Sequence, residues 1–471
     1  ILEDPSLWHN FKILYIVTLL FDSIIISNII YSKFLSNIFI HTHHTQEKSI
    51  NHNELNLLIG NSQENKPIYI PEKSLYQNML ITGGIGTGKT ASAMYPFTKQ
   101  LIKYKCDNPI EKLGFLILDV KGNYYSKVRE FAEEYDRQND VIVIELSGKY
   151  TYNPLDKPNL KASILANRIK TILLLFSPNN SESYWLDKSE QVIENFITFC
   201  RMYNNGYVTF EELHKLITDK KYYLEKLHEV RRVFLSGVLS DSDIYDLLSC
   251  IRFIEKDFYS LDDRTFNILK SEITRITNCF VSDYEVLKTF CPTKQKENFY
   301  GFEDTIENGK IVVLNLNIGK YKNLSKIIAA YLKLDFQTDV ITQLSTYVKR
   351  PMVFISDEYQ EYVTSSDAEF FAQSREAKCI NIVATQSYTS LLHTLNNQYS
   401  VKVIVQNLIN KIWFRTDDSF TIEEAQKQLG KEEKTRISKS VSENAKETNF
   451  SYISNTLHSQ NSNLSESINT Y

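Results

Sequence analysis

A glycine-rich octapeptide constrains the fold of this chain more than any other feature. It follows an apolar stretch at 78–82 and precedes residues 91–95, which can open a helix. A loop between a strand and a helix holds an anion with its backbone N–H groups and with the helix N-terminus. The pattern G-x-x-x-x-G-K-[ST] therefore predicts a nucleotide site, in which Lys89 reaches the outer phosphates and Thr90 binds Mg²⁺. The matching residues are Gly83, Gly84, Ile85, Gly86, Thr87, Gly88, Lys89 and Thr90.

Apolar runs of strand length alternate with helix-like stretches on both sides of this loop. Such alternation favours an α/β fold with a mostly parallel sheet covered by helices. In sheets of this kind the chemistry gathers at the carboxyl ends of the strands. The runs lie at 78–82, 113–118, 141–146, 311–316, 352–356, 380–385 and 411–414.

A long helical block interrupts this alternation. Apolar residues such as Ile169, Ile172 and Leu173 recur with the 3.6-residue period of a helix, and the pattern continues to about residue 290. We expect an all-helical domain at 161–295, which divides the nucleotide-binding domain into 46–160 and 296–437. The last segment, 438–471, is rich in Ser, Asn and Glu, and is predicted to be a disordered tail or a partner-docking tail.

The N-terminal part contains a candidate membrane helix. Residues 13–32 form a mostly apolar segment of about the length that crosses a bilayer. Asp22 near its middle costs about 2.5 to 3.5 kcal/mol on insertion scales, so a buried core helix is the alternative. We expect residues 1–45 to be a membrane anchor and a juxtamembrane segment. The chain does not begin with methionine, and we therefore expect that it is a fragment.

Composition narrows the function only slightly. The net charge is −4, from 53 basic and 57 acidic residues, so no overall attraction to nucleic acid is visible, although a locally basic channel remains compatible with it. The six cysteines are scattered and form no C-x-x-C pair, which favours reduced thiols in a cytosolic compartment over a zinc or disulfide framework.

Four further residues complete the predicted chemistry. The strand at 352–356 ends in Asp357 and Glu358, which suit magnesium binding and the polarisation of an attacking water. Gln386 ends the next strand and could sense the terminal phosphate or orient that water. Arg375 is the candidate for a cation donated across a subunit boundary, although a helix salt bridge explains it equally well.

Other classes of nucleotide-binding protein fit less well. A small-molecule kinase would be shorter and would need a lid. A GTPase would need the base-reading pattern N-K-x-D, and 410–413 fails at its last position. The order of loop, helical block, Asp-Glu strand and Gln strand favours a ring-forming motor.

With these residues in place, the chain resembles the TraG/TraD coupling proteins of type IV secretion, the conjugative DNA-transfer ATPases. The resemblance runs from the membrane segment to about Gly430. Asn123 departs from it, because the family often has a Glu there. The matching stretches are 80–90, 119–122, 183–187, 355–359, 374–376, 384–387, 407–412 and 429–430.

The resemblance implies a hexameric, RecA-like, membrane-anchored ATPase that uses ATP and Mg²⁺. It further implies an all-helical domain that faces the cytoplasm, and partners that include relaxosome proteins, single-stranded DNA and channel components. The expected location is the inner membrane, with the motor domain in the cytoplasm.

Three alternatives remain beside this interpretation. An FtsK-like DNA translocase and a secretion-system assembly ATPase belong to the same motor class, but the Ser/Asn-rich tail resembles neither. A nucleotide-binding membrane scaffold without turnover is the third. The presence of Lys89, Thr90, Asp357, Glu358 and Gln386 together argues against it.

Deletion of residues 13–40 tests the membrane prediction. The shortened protein is expected to move from the membrane to the soluble fraction, because the apolar segment supplies the transfer free energy that holds it in lipid. Fractionation of cells followed by immunoblotting measures the change. A full-length chain that is already soluble would show the prediction to be wrong.

Overall fold

The structure, a computed structural model, forms two compact units at 1–56 and 57–471. In the first unit, residues 14–20 are helical. Much of the predicted membrane segment at 13–32 and all of 33–45 lie outside the described residues. The described residues are 12, 14–20, 22–23, 26, 54–119, 121–176, 183–237, 239–321, 323–345, 350–430, 433–438, 449–451, 456–458 and 465–470.

Within the residues just given, none of the helices combines the length and the apolar character needed to cross a bilayer.

The second unit is built on a seven-stranded sheet in the order β5-β6-β4-β7-β8-β3-β9, with parallel pairing throughout. Its strands are short apolar runs, and five of them are buried along most of their length, as expected for a parallel sheet covered on both faces. The strands of this sheet are β3 (Met79–Thr82), β4 (Gly114–Asp119), β5 (Val141–Ile144), β6 (Ile311–Asn315), β7 (Met352–Ser356), β8 (Cys379–Thr385) and β9 (Asn410–Trp413). Strands β1 (Asn56–Asn61) and β2 (Pro67–Pro71) form a separate two-stranded sheet.

Helices connect these strands and fill the interval between β5 and β6. Several begin at side-chain caps; for example, Thr209 accepts a hydrogen bond from Glu212 N, and Ser240 forms a capping box with Asp243. The helices are α1 (Glu72–Leu75), α2 (Tyr95–Lys103, preceded by a π-turn at Thr90–Met94), α3 (Tyr124–Glu134), α4 (Ala162–Leu174), α5 (Ser183–Tyr203), α6 (Phe210–Thr218), α7 (Lys220–Leu235), α8 (Asp241–Phe253), α9 (Asp263–Val281), α10 (Tyr284–Phe290), α11 (Glu303–Asn308), α12 (Ile318–Tyr321), α13 (Asn323–Thr342), α14 (Asp367–Gln373), α15 (Tyr388–Leu395), α16 (Gln398–Asn407) and α17 (Ser419–Leu429).

Helices α4 to α10 occupy the stretch for which the sequence predicts an all-helical domain. Their core is continuous with that of the sheet, since one apolar cluster contains residues of both parts. The segment that leads into the helical insertion pairs with the segment that leaves it. Tyr152 and Phe299 form an isolated parallel bridge, and Asn153 N donates to Glu297 Oε1 (3.1 Å). The helical insertion is therefore tied firmly to the sheet at both its entry and its exit.

Helix α13 carries two buried charges that point to different neighbours. Lys333 Nζ lies 2.6 Å from Asp367 Oδ2 and also donates to Tyr362 O (2.8 Å) and Thr364 Oγ1 (3.0 Å), all in the segment that follows β7. Asp335 accepts from Arg168 Nη1 on α4 at 2.5 Å. One helix thus holds both the segment after β7 and the helical insertion through buried ion pairs.

The C-terminal segment differs from the predicted disordered tail at 438–471. Its described residues include four short strands in two antiparallel pairs, β10 with β13 and β11 with β12. Backbone ladder hydrogen bonds do not require apolar side chains, and a count of apolar residues therefore misses them. The strands are β10 (Glu433–Ser438), β11 (Asn449–Ser451), β12 (Thr456–His458) and β13 (Ser465–Thr470).

The Lys333–Asp367 ion pair provides a test of this architecture. Lys333→Met leaves the Asp367 carboxylate buried without its cation, which typically costs about 3–5 kcal/mol of the free energy of unfolding. Lys333→Met combined with Asp367→Leu is expected to recover part of that loss. Urea unfolding followed by circular dichroism measures both changes. Lys127→Met, on the exposed face of α3, is the control, and equal stability of Lys333→Met and this control would contradict the prediction.

Candidate nucleotide-binding site

The predicted site residues come together at one edge of the parallel sheet. Strand β8 lies between β3 and β7, so the segments that follow these three strands are adjacent. The phosphate loop follows β3, the Asp357-Glu358 pair follows β7, and Gln386 follows β8. Because the strands are parallel, all three groups meet at the carboxyl edge.

The loop has the backbone that its glycines predict. Gly86 and Gly88 have φ values of 73° and 91°, a region that favours glycine. Thr87 Oγ1 donates to Gly84 O (2.9 Å) and closes the turn, while Ile85 at its tip is 85% exposed. The residues Thr90–Met94 then begin the helix that the motif requires.

A close contact explains the first glycine. A Cβ atom on Gly83 would lie 2.5 Å from Phe414 Cβ, a distance that a side chain cannot tolerate. Gly84 N donates to Arg415 O at 2.9 Å, and Gly83 N donates to Thr385 O at 3.3 Å. The loop is therefore held between the ends of β8 and β9.

Lys89 is buried inside the loop. Its Nζ donates to Gly83 O (2.5 Å) and Gly84 O (3.0 Å), and only 7% of the residue is exposed. Burial lowers the pKa of Lys89, while the negative charges of Glu358 and Asp357 oppose that shift. The ammonium group thus lies within the turn where the motif places phosphate oxygens.

Thr90 and Asp357 form the predicted magnesium position. Thr90 Oγ1 donates to Asp357 Oδ2 at 3.0 Å across 267 residues of sequence. Burial is the main cause that raises the pKa of Asp357, and Lys121 and Thr90 oppose it. One hydroxyl and one carboxylate suit Mg²⁺, which usually takes few protein ligands and completes its shell with water and phosphate oxygens.

Glu358 lies beside this pair with its carboxylate held by three donors. Gln360 and Gln386 donate to Oε2 at 2.7 and 3.0 Å, and Lys121 Nζ lies 2.5 Å from Oε1. Burial raises the pKa of Glu358, but these hydrogen bonds outweigh it and the net shift is downward. The backbone at Glu358 is left-handed, with φ of 53°, which is uncommon for a residue other than glycine and is found at functional sites.

Two residues of the turn after β4, Asp119 and Lys121, lie in the stretch 119–122 that matches the family but are not among the predicted site residues. Asp119 is buried and accepts hydrogen bonds from Lys121 N (2.8 Å), Asn123 N (2.9 Å) and Tyr124 N (2.8 Å). Asp119 therefore shapes the turn, and the turn carries Lys121 to Glu358. The sequence signal that could have identified both residues is their position at the end of an apolar run of strand length.

Arg375 does not join the site of its own chain. It lies in an exposed turn between α14 and β8, and thus at the amino edge, opposite the phosphate loop. The neighbouring Ser374 donates to Asn78 Oδ1 (3.1 Å), as does Asn381 Nδ2 (2.6 Å). These two contacts are structural, and a role for Arg375 in catalysis remains a prediction that involves a second chain.

A comparison with known protein families finds one match in the C-terminal part of the chain. Residues 351–467 match the family model described as the TraM recognition site of TraD and TraG. A comparison with curated proteins returns no significant match.

Solved structures share the fold. An unbound form of the bacterial conjugative coupling protein TrwB matches with a TM-score of 0.55 at 12% identity, over 79% of this chain and 77% of that chain. TrwB with the non-hydrolysable GTP analogue GDPNP gives 0.52 at 13% identity, over 79% of both chains. TrwB with ADP and Mg²⁺ gives 0.50 at 12%, over 79% of this chain and 78% of that one.

The fold and the geometry of the loop are those of the P-loop class of nucleotide-binding proteins. The predicted resemblance to the TraG/TraD coupling proteins is confirmed by the family model over residues 351–467, and the fold is similar to that of the coupling protein TrwB.

The contact between Gly83 and Phe414 provides a test of the site. Gly83→Ala must displace the loop or β9, which typically costs about 1–3 kcal/mol, and is expected to weaken binding of a fluorescent ATP analogue. Gly83→Ala combined with Phe414→Gly removes the contact with Phe414 Cβ and is expected to recover part of the affinity. Lys127→Ala, whose side chain is 44% exposed on α3, is the control. Full affinity in Gly83→Ala would contradict the role of this contact.

Proposed function

We propose that this chain is an ATP-hydrolysing motor that couples a nucleoprotein substrate to a type IV secretion channel. The observation that carries the proposal is the convergence of Thr90, Asp357, Glu358 and Gln386 beside the phosphate loop. A scaffold that only binds nucleotide has no need of a buried carboxylate held by amides next to the metal position.

The residues have separate roles in this proposal. The loop amides and Lys89 bind the phosphates, and Thr90 with Asp357 holds Mg²⁺, which supplies positive charge to the phosphate oxygens. Glu358 orients and polarises the attacking water. Gln386, bonded to Glu358, links that carboxylate to β8 and would respond to the terminal phosphate.

The family match supports the inference of relaxosome partners. The matched model is named for recognition of TraM by TraD and TraG. For this chain we infer a comparable contact with relaxosome proteins through 351–467, and transfer of single-stranded DNA towards channel components. The proposal includes a homo-hexamer, in which Arg375 acts on a neighbouring chain, and an inner-membrane location with a cytoplasmic motor domain.

Lys89→Ala tests the proposed function. Loss of the ammonium group removes a phosphate contact, and ATP hydrolysis and DNA transfer from a donor strain are both expected to fall to background. Hydrolysis by the unaltered protein is expected to rise with single-stranded DNA. Lys127→Ala, on the surface of α3, is the matched control.

Three outcomes would contradict the proposal. Normal DNA transfer by Lys89→Ala would show that nucleotide turnover is not required. Stimulation by double-stranded but not single-stranded DNA would favour the FtsK-like translocase. Loss of channel assembly in the absence of the chain would favour the assembly ATPase.

A further inference from the structure

The Lys121 side chain lies at this site, and its role does not follow from the phosphate-loop pattern. Its Nζ lies 2.5 Å from Glu358 Oε1 and 3.9 Å from Asp357 Oδ2. The Lys121 side chain is 49% exposed, whereas that of Glu358 is only 8% exposed. A half-exposed cation therefore covers a buried carboxylate at the centre of the site.

The backbone of Lys121 is held from two sides. Asp119 Oδ1 accepts from Lys121 N at 2.8 Å, and Asn317 Nδ2 donates to Lys121 O at 2.6 Å. Gly122 follows with φ of 75°, and a Cβ atom there would lie 3.2 Å from Asn317 Cβ. The turn after β4 is thus fixed by its hydrogen bonds to Asp119 and to Asn317, which follows β6. This turn sets the direction of the Lys121 side chain.

The contact with Lys121 completes the orientation of the Glu358 carboxylate. Gln360 and Gln386 both donate to Oε2, and Lys121 is the donor that the described residues supply to Oε1. A carboxylate oxygen can accept more than one hydrogen bond, so a water can bind Oε1 while Lys121 does. Without Lys121, the two amides hold one oxygen and leave the plane of the carboxylate free to rotate.

We propose that Lys121 is a positioning residue for ATP hydrolysis, which holds the Glu358 carboxylate in the orientation that serves the attacking water. The inference rests on the proposed ATPase function. A misplacement of about 1 Å in a reacting group can lower a rate by about a hundredfold, so a contact of this kind matters to turnover more than to nucleotide affinity.

A double-mutant cycle tests the inference in the full chain. Single-turnover ATP hydrolysis and the affinity for a fluorescent ATP analogue are measured for the unaltered protein, Lys121→Met, Glu358→Gln and the double variant. Lys121→Met is expected to hydrolyse ATP about tenfold to a hundredfold more slowly with unchanged affinity. The double variant is expected to be no slower than Glu358→Gln, because Lys121 acts through that carboxylate.

Additional variants guard against a trivial loss of structure. Lys121→Arg keeps a charged donor and is expected to recover part of the rate. Lys121→Gln keeps a donor without charge and serves as the second variant if Lys121→Met does not fold, as judged by thermal unfolding. Lys127→Met, one turn into the neighbouring helix α3, is expected to behave like the unaltered protein.

The outcomes separate the inference from the function on which it rests. No hydrolysis by the unaltered protein overturns the proposed function itself. Normal hydrolysis by both Lys121→Met and Lys121→Gln overturns the positioning role alone. A double variant slowed by the full product of the two single effects, or a loss of ATP affinity in Lys121→Met, shows that Lys121 acts on the nucleotide directly and overturns the inference as stated.

Discussion

The parallel pairing of β3 with β8 and of β8 with β7 is the constraint on which the rest of this structure depends. It places the ends of three strands side by side, although the chain between β3 and β7 includes the whole helical insertion. Because the strands are parallel, their carboxyl ends all meet at one edge, and the hydrogen bond from Thr90 to Asp357 becomes possible there. A single antiparallel strand in this group would move one of the site's components to the opposite edge.

Buried charges then join this edge to the rest of the molecule. Lys333 is fully buried and bonded to Asp367 in the segment that follows Glu358, and Asp335, two residues further along α13, pairs with Arg168 of the helical insertion. Burial of ions is costly unless each is paired and hydrogen-bonded, so these pairs tolerate little displacement. These ion pairs therefore fix α13 relative to the segment after β7 and to the helical insertion.

The sequence predicted much of the candidate site but not its internal contacts. The loop, Asp357, Glu358 and Gln386 were found because each stands at the end of an apolar run, and strand ends in parallel sheets are adjacent. Lys121 also stands at such an end, yet no one-dimensional pattern shows that its ammonium group reaches Glu358. Arg375 precedes β8 rather than following it, and its distance from the loop follows directly from that order. The strand pairs after residue 432 were missed, because their backbone hydrogen bonds leave little trace in composition.

By itself the sequence determined the α/β character of the fold, the phosphate loop and the presence of a long helical block, since local period, glycine placement and strand-end residues are properties of short stretches. The tertiary structure decided which strand ends are neighbours, which carboxylate Lys121 neutralises, and which glycines are required by close contact, as Gly83 is by Phe414. The physical reason is the short range of these interactions. Hydrogen bonds and ion pairs act over about 3–4 Å, and only the folded sheet brings residues hundreds of positions apart within that distance.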